Sequence, residues 1–181
     1  MNSKAKEILS TSLFVLCVLV FAFLLVKFVG QRTEVIGPSM NPTLVDGDNL
    51  ILDKISYRFH DPERFDIVVF PFRNGEPKNY IKRIIGLPGE KVRIDEDGNI
   101  YINGKVLEES YGLEVIKNPG TAIEETTLGE GEYFVLGDNR NNSEDSRYAV
   151  VGAVKREEII GRAWLRIWPL NSFGFVKHGK K

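Results

Sequence analysis

The amino-acid sequence predicts a mainly β, antiparallel domain behind a single N-terminal transmembrane helix. Three observations lead there. One uncharged run near the start is long enough to cross a bilayer, short alternating apolar runs fill the rest, and two Asx-Gly pairs sit between apolar stretches as hairpin turns. The expected boundaries are residues 1–7 before the span, 8–29 for the span, and 30–181 for the β-rich domain.

From Ile8 to Val26 the chain reads ILSTSLFVLCVLVFAFLLV without a charge, between Lys6-Glu7 and Lys27. At about 1.5 Å per residue such a helix just crosses a hydrocarbon core of roughly 30 Å. A cleaved secretory leader is the alternative. Its apolar region usually runs about 7 to 15 residues and ends in a small-x-small site, and KFVGQRTEVIG offers none. Charge counting leaves the orientation nearly tied, with Lys4 and Lys6 on one side and Lys27 and Arg32 on the other.

Beyond Gly30 the apolar runs are short and punctuated by turn residues. Residues 49–55, 65–72, 79–85, 91–95, 99–104, 132–136 and 161–168 all read as strands. Asp97-Gly98 and Asn103-Gly104 predict hairpins, and no long helical stripe intervenes. The sheet is therefore expected to be antiparallel and folded over or partly closed, barrel-like. Residues 113–127, with Asn118-Pro119-Gly120, read as a long loop or an excursion from the sheet, and the tail KHGKK as a frayed basic end.

Composition excludes several functions. A net charge of -1 and a pI near 6.2 provide no basic field for nucleic acid. The one cysteine, Cys17, lies in the apolar run, so there is neither a disulfide framework nor a thiolate for a metal. With only His60 and His178 beside it, a zinc site is not expected. No metal and no cofactor is anticipated.

Three segments carry possible chemistry. In GPSMNPTL, Pro38 and Pro42 restrain the backbone around Ser39, whose own N–H stays available to an oxyanion. Taken alone this is a proline-shaped turn with an incidental hydroxyl, and it does not match the G-x-S-x-G elbow. In NYIKRIIGLPGEKV, period two puts Lys82 on a face with Tyr80 and Ile84, and Arg83 with Ile81 and Ile85. Only the lysine can become a base, because burial lowers its pKa whereas arginine stays charged. An edge lysine whose ammonium reaches water is the plain alternative. In GDNRNNSEDSRY, turn chemistry alone would explain the composition. Arg140 at a ligand position and the missing glycine argue against a calcium loop. Ser143 offers a hydrogen-bond partner for a lysine amine, with Asp145 and Arg147 paired to hold the loop.

In this order, the span and the three segments, with GDNLILDK and FDIVVF between them, resemble the bacterial type I signal peptidases in their short Gram-positive form. These are membrane-bound serine endopeptidases with a Ser/Lys dyad. The resemblance implies the β fold of the signal peptidase and LexA-like type, Ser39 as nucleophile and Lys82 as general base. It also implies that Ser143 holds the lysine and that Asp145 with Arg147 supports the site. The span would be oriented with its N-terminus cytoplasmic and the catalytic domain outside the cytoplasmic membrane. Substrates would be signal peptides of secreted precursors, ending in small residues at the first and third positions before the cut. Val35, Met40, Leu44, Tyr80 and Ile81 are expected to line their pockets. Membrane lipid is the other expected partner, nucleic acid is not, and a monomer is expected. One departure stands out: some members carry a hydroxyl residue two positions before the nucleophile, where this chain has Gly37. A membrane-tethered β module that only binds extended peptides, or a self-cleaving repressor-like serine/lysine protease, would share parts of this pattern.

Overall fold

The structure is a computed structural model, and it describes residues 3–28, 30–73 and 78–179. Helix α1 spans Ser3–Phe28, so it begins before the expected Ile8, while Val29 lies outside the described residues. Twenty-six residues give about 39 Å of helix. The stretch Lys6–Phe23 has a mean hydropathy of 2.0, and none of it is buried.

Twelve strands follow among the described residues, in two antiparallel sheets. The main sheet contains β1 (Gly30–Glu34), β2 (Asn49–Asp53), β3 (Ile67–Pro71), β4 (Asn79–Gly86), β9 (Glu132–Leu136), β10 (Val154–Lys155), β11 (Gly161–Trp168) and β12 (Gly174–Phe175). Their spatial order is β1-β2-β11-β3-β4-β9-β10, with β12 on β11. The late strand β11 thus separates β2 from β3. The smaller sheet, in order β7-β6-β5-β8, contains β5 (Lys91–Ile94), β6 (Ile100–Ile102), β7 (Lys105–Val106) and β8 (Thr126–Thr127). It is spliced between β4 and β9, which are themselves neighbours in the main sheet. The expected excursion is therefore real but larger than residues 113–127, and that stretch holds a 3-10 turn at Gly120–Ile123 and β8.

Side-chain alternation explains the packing. Along β3, Ile67 and Val69 enter one core with Leu50, Leu52 and Ala163, while Val68 and Phe70 enter another with Tyr133 and Val135. A strand buried on both faces reads as a continuous apolar run, as IVVF does. A third core joins the main sheet to the small one through Ile85, Val92, Ile94, Leu128 and Phe134. The turn between β6 and β7 is Asn103-Gly104, with φ of 50° and 77°, the paired positive values a two-residue hairpin requires.

The tail departs from expectation. His178 Nδ1 accepts from the Ile67 N–H (3.1 Å) and its Nε2 contacts the Ala163 carbonyl (2.7 Å), so the chain end is docked onto β3 and β11 rather than frayed. Lys180 and Lys181 lie outside the described residues.

Candidate active site

The loop between β1 and β2 closes on its own backbone. Val35 N–H donates to Asp48 O (2.8 Å), Gly47 N–H to Val35 O (2.9 Å), Asn41 N–H to Pro38 O (3.1 Å) and Leu44 N–H to Met40 O (2.9 Å). Asp46 accepts from Gly37 N–H (2.6 Å) and Asp48 from Val45 N–H (2.9 Å). Ser39 is left half-buried at the loop's crest, and its N–H has no hydrogen-bond partner among the described residues.

Lys82 comes to it from β4, with Nζ donating to Ser39 Oγ (2.9 Å) and to the Ile81 carbonyl (3.0 Å). The side chain is 4% exposed, and its amine lies 4.9 Å from the Tyr80 ring centroid. Burial pulls the pKa down to about 8, against the opposing pull of the Asp145, Glu144 and Asp138 carboxylates. That amounts to about 3 kcal/mol against the charged form. Ser39 and Lys82 both line a cleft of about 170 Å³, together with Val35, Met40, Tyr80 and Ile81. Leu44 does not reach it. The Leu44-to-Met40 turn points that side chain inward, where it is fully buried in the core with Leu50 and Leu52.

The segment after β9 grips the Ser39 loop. Asn139 N–H donates to the Ser39 carbonyl (3.0 Å) and Asn139 Nδ2 to the Pro38 carbonyl (3.2 Å). Asp145 and Arg147 form a buried pair (2.8 Å), with Asp145 also accepting from Gly137 N–H (3.1 Å) and Arg147 donating to the Arg140 carbonyl (2.5 Å). Ser143 departs from the implied role, since its buried hydroxyl has no hydrogen-bond partner among the described residues and none runs to Lys82. A Cβ on Gly137 would fall 2.2 Å from Ser143 Oγ and 2.5 Å from the Ser39 carbonyl oxygen, so only glycine lets these groups converge.

Residues 8–168 match the family model described as signal peptidase, peptidase S26. The chain belongs to the signal peptidase family. A probable signal peptidase I-2 of Synechocystis sp. is 46% identical over 154 residues, covering 82% of this chain and 68% of that relative. Signal peptidase IB of Staphylococcus aureus (strain COL) is 32% identical over 183 residues, covering 93% of each. A crystal structure of a signal peptidase I from Enterococcus faecalis V583 aligns with a TM-score of 0.46 at 40% identity, covering 57% of this chain and 97% of that one.

In this signal peptidase fold, several groups around the dyad escape sequence reasoning. Arg83, beside Lys82, makes a two-pronged buried pair with Asp138 (2.8 and 2.7 Å), and Thr43 Oγ1 donates to the same carboxylate (2.5 Å). This triad ties β4, the segment after β9 and the nucleophile loop together. Asp46 is equally unforeseen. It occupies the Gly37 amide, so that N–H is not free for an oxyanion. The one available signal is the placement of GDN directly after the apolar strand YFVL.

Proposed function

We propose that this signal peptidase family member is a membrane-bound serine endopeptidase that removes N-terminal signal peptides from exported precursors through a Ser39/Lys82 dyad. The contact of 2.9 Å between Ser39 Oγ and a buried Lys82 Nζ carries the proposal. An amine with a pKa near 8 is substantially neutral around that pH, and in that state the serine hydroxyl donates across the same contact.

The neutral Lys82 accepts the Ser39 proton as Oγ attacks the scissile carbonyl. The Ser39 N–H donates to the resulting oxyanion. The protonated amine then gives its proton to the departing amine, and water, activated by the same lysine, hydrolyses the acyl-enzyme. Asp145 and Arg147 are assigned to fix the segment that holds the Ser39 loop, and no contact among the described residues supports a role for Ser143 at the amine. Substrate enters as an extended strand. β9 pairs with β4 only from Arg83 onward, so on that side of β4 residues 79–82 have no strand partner among the described residues. Added there, a peptide would point alternate side chains at the floor made by Val35, Met40 and Ile81, which has room for small ones.

The helix α1 is read as the membrane anchor, with the N-terminus cytoplasmic and the catalytic domain at the outer face of the cytoplasmic membrane. Purified full chain in detergent micelles is expected to cut a precursor after a small-x-small sequence. Ser39→Ala and Lys82→Met should abolish the cut while keeping the unaltered melting temperature. Retained cleavage in Ser39→Ala overturns the assignment.

A further inference from the structure

Among the residues lining the nucleophile cleft, only Lys82 and Glu144 carry formal charge. The two are placed differently. Lys82 is buried and committed to Ser39, whereas Glu144 is exposed at the rim. Its carboxylate accepts the Tyr80 hydroxyl proton, and Tyr80 is itself fixed, stacked on Phe72 with ring centroids 4.7 Å apart and set edge-on to Phe70 at 6.1 Å. The tether holds the carboxylate at the cleft mouth.

The other charges nearby are buried in pairs or lie outside the cleft lining. Asp138 and Asp145 are buried and paired with Arg83 and Arg147. Lys78 stands 5.2 Å from the Tyr80 ring centroid; it is exposed and does not line the cleft, and its positive charge acts on Lys82 from outside. Once Lys82 is neutral, as the reaction demands, the cleft is left with one negative charge, and it lies on the rim.

We propose that Glu144 is a specificity-determining residue that makes the cleft select its peptide by charge, favouring a basic and rejecting an acidic side chain at the position passing the Tyr80–Glu144 rim. This rests on the peptidase function proposed above. A strand added to residues 79–82 of β4 sends alternate side chains to the apolar floor, and the intervening ones reach the rim. Specificity is a difference between two affinities, so attraction for one charge and repulsion of the other both count.

The test uses full chain in detergent and peptides with one small-x-small cut site. They differ in a single Lys, Gln or Glu, moved through the positions on the amino side of the cut. At one position the kcat/KM ratio of the Lys to the Glu peptide should be about three- to tenfold in the unaltered enzyme, the scale of partly exposed ion pairs. It should fall to near unity in Glu144→Gln and invert in Glu144→Lys. It should also shrink between about 30 and 300 mM salt as screening lengths shorten. A ratio of unity at every position in the unaltered enzyme, or one ratio shared by all three enzymes, overturns the inference. If the Gln peptide is not cut at all, the peptidase function fails and takes the inference with it.

Discussion

Lys82 is an ammonium-bearing side chain placed where an ammonium is costly, and that cost sets how the enzyme responds to pH. Burial lowers its pKa to about 8, and the proposed base role requires the neutral form, so kcat/KM should fall below about pH 8 and level off above it. Lys82→Arg should be as inactive as Lys82→Met, since arginine keeps the charge and cannot accept the proton. The carboxylate of Glu144 raises the same pKa, so Glu144→Gln should move the acid limb toward lower pH. Neither histidine lines the cleft, and His60→Ala and His178→Ala should leave the limb where it is. A limb that vanished in either variant would transfer the base role away from Lys82. The two differ in stability, because only His178 bridges Ile67 and Ala163. Losing two buried contacts costs about 1 to 3 kcal/mol, seen as a lower melting temperature for His178→Ala alone. The meeting of Ser39 and Lys82 was expected from the family resemblance and not from either segment alone, because a serine in a proline-shaped turn and a lysine on an apolar strand each have a plain structural reading. Asp46 and Asn139 were not, since they act on backbone groups and aspartate and asparagine abound in any turn. Leu44 was misplaced because nothing local says which way a turn throws its last apolar side chain.

Strand β4 does three things with adjacent residues: Ile81 floors the cleft, Lys82 faces the serine, and Arg83 anchors the two loops that frame them. The Arg83–Asp138 pair is about 1% exposed on one side and 0% on the other. Removing one partner strands the other charge in a dry interior, at about 3 to 5 kcal/mol. Asp138→Ala should therefore lower the melting temperature sharply and also reduce cleavage, because Thr43 on the nucleophile loop loses its acceptor. Cleavage at the unaltered rate with a lowered melting temperature would confine Asp138 to the scaffold. The long strands were readable from their alternation, and the Asn103-Gly104 hairpin from its turn residues. β7, β8, β10 and β12 were not, because two residues have no period. β1 lacks an apolar pattern in GQRTE and forms on the edge that β2 offers. The insertion of β11 between β2 and β3 was equally invisible, since pairing across so much chain leaves no local trace.

At the scale of the whole molecule, an apolar helix leads directly into β1, and the nucleophile follows nine residues after Gly30. A fully extended chain covers at most about 30 Å in that distance, so with α1 as the proposed anchor Ser39 lies close to the membrane surface. Exposed Trp164, Trp168, Leu170, Phe173 and Phe175 cluster on β11 and its hairpin to β12, a patch suited to lipid. Both tryptophans of the chain lie there, so intrinsic fluorescence reports this patch alone. Brominated lipids in vesicles should quench it in the reconstituted full chain, and Phe173→Ser with Phe175→Ser should weaken the quenching. Unquenched tryptophan would place the patch away from the bilayer. The same strand has a role in time as well as in space. Arg166 on β11 donates to the Thr43 carbonyl (2.6 Å) and pairs with Asp48 (3.2 Å), and β11 supplies the second neighbour of β2. A ribosome delivers Ser39 and Lys82 before β11, so the strand that braces the Ser39 loop is the last of the three to be made. Under the proposed dyad, the alignment of the two groups therefore waits on a strand made after both.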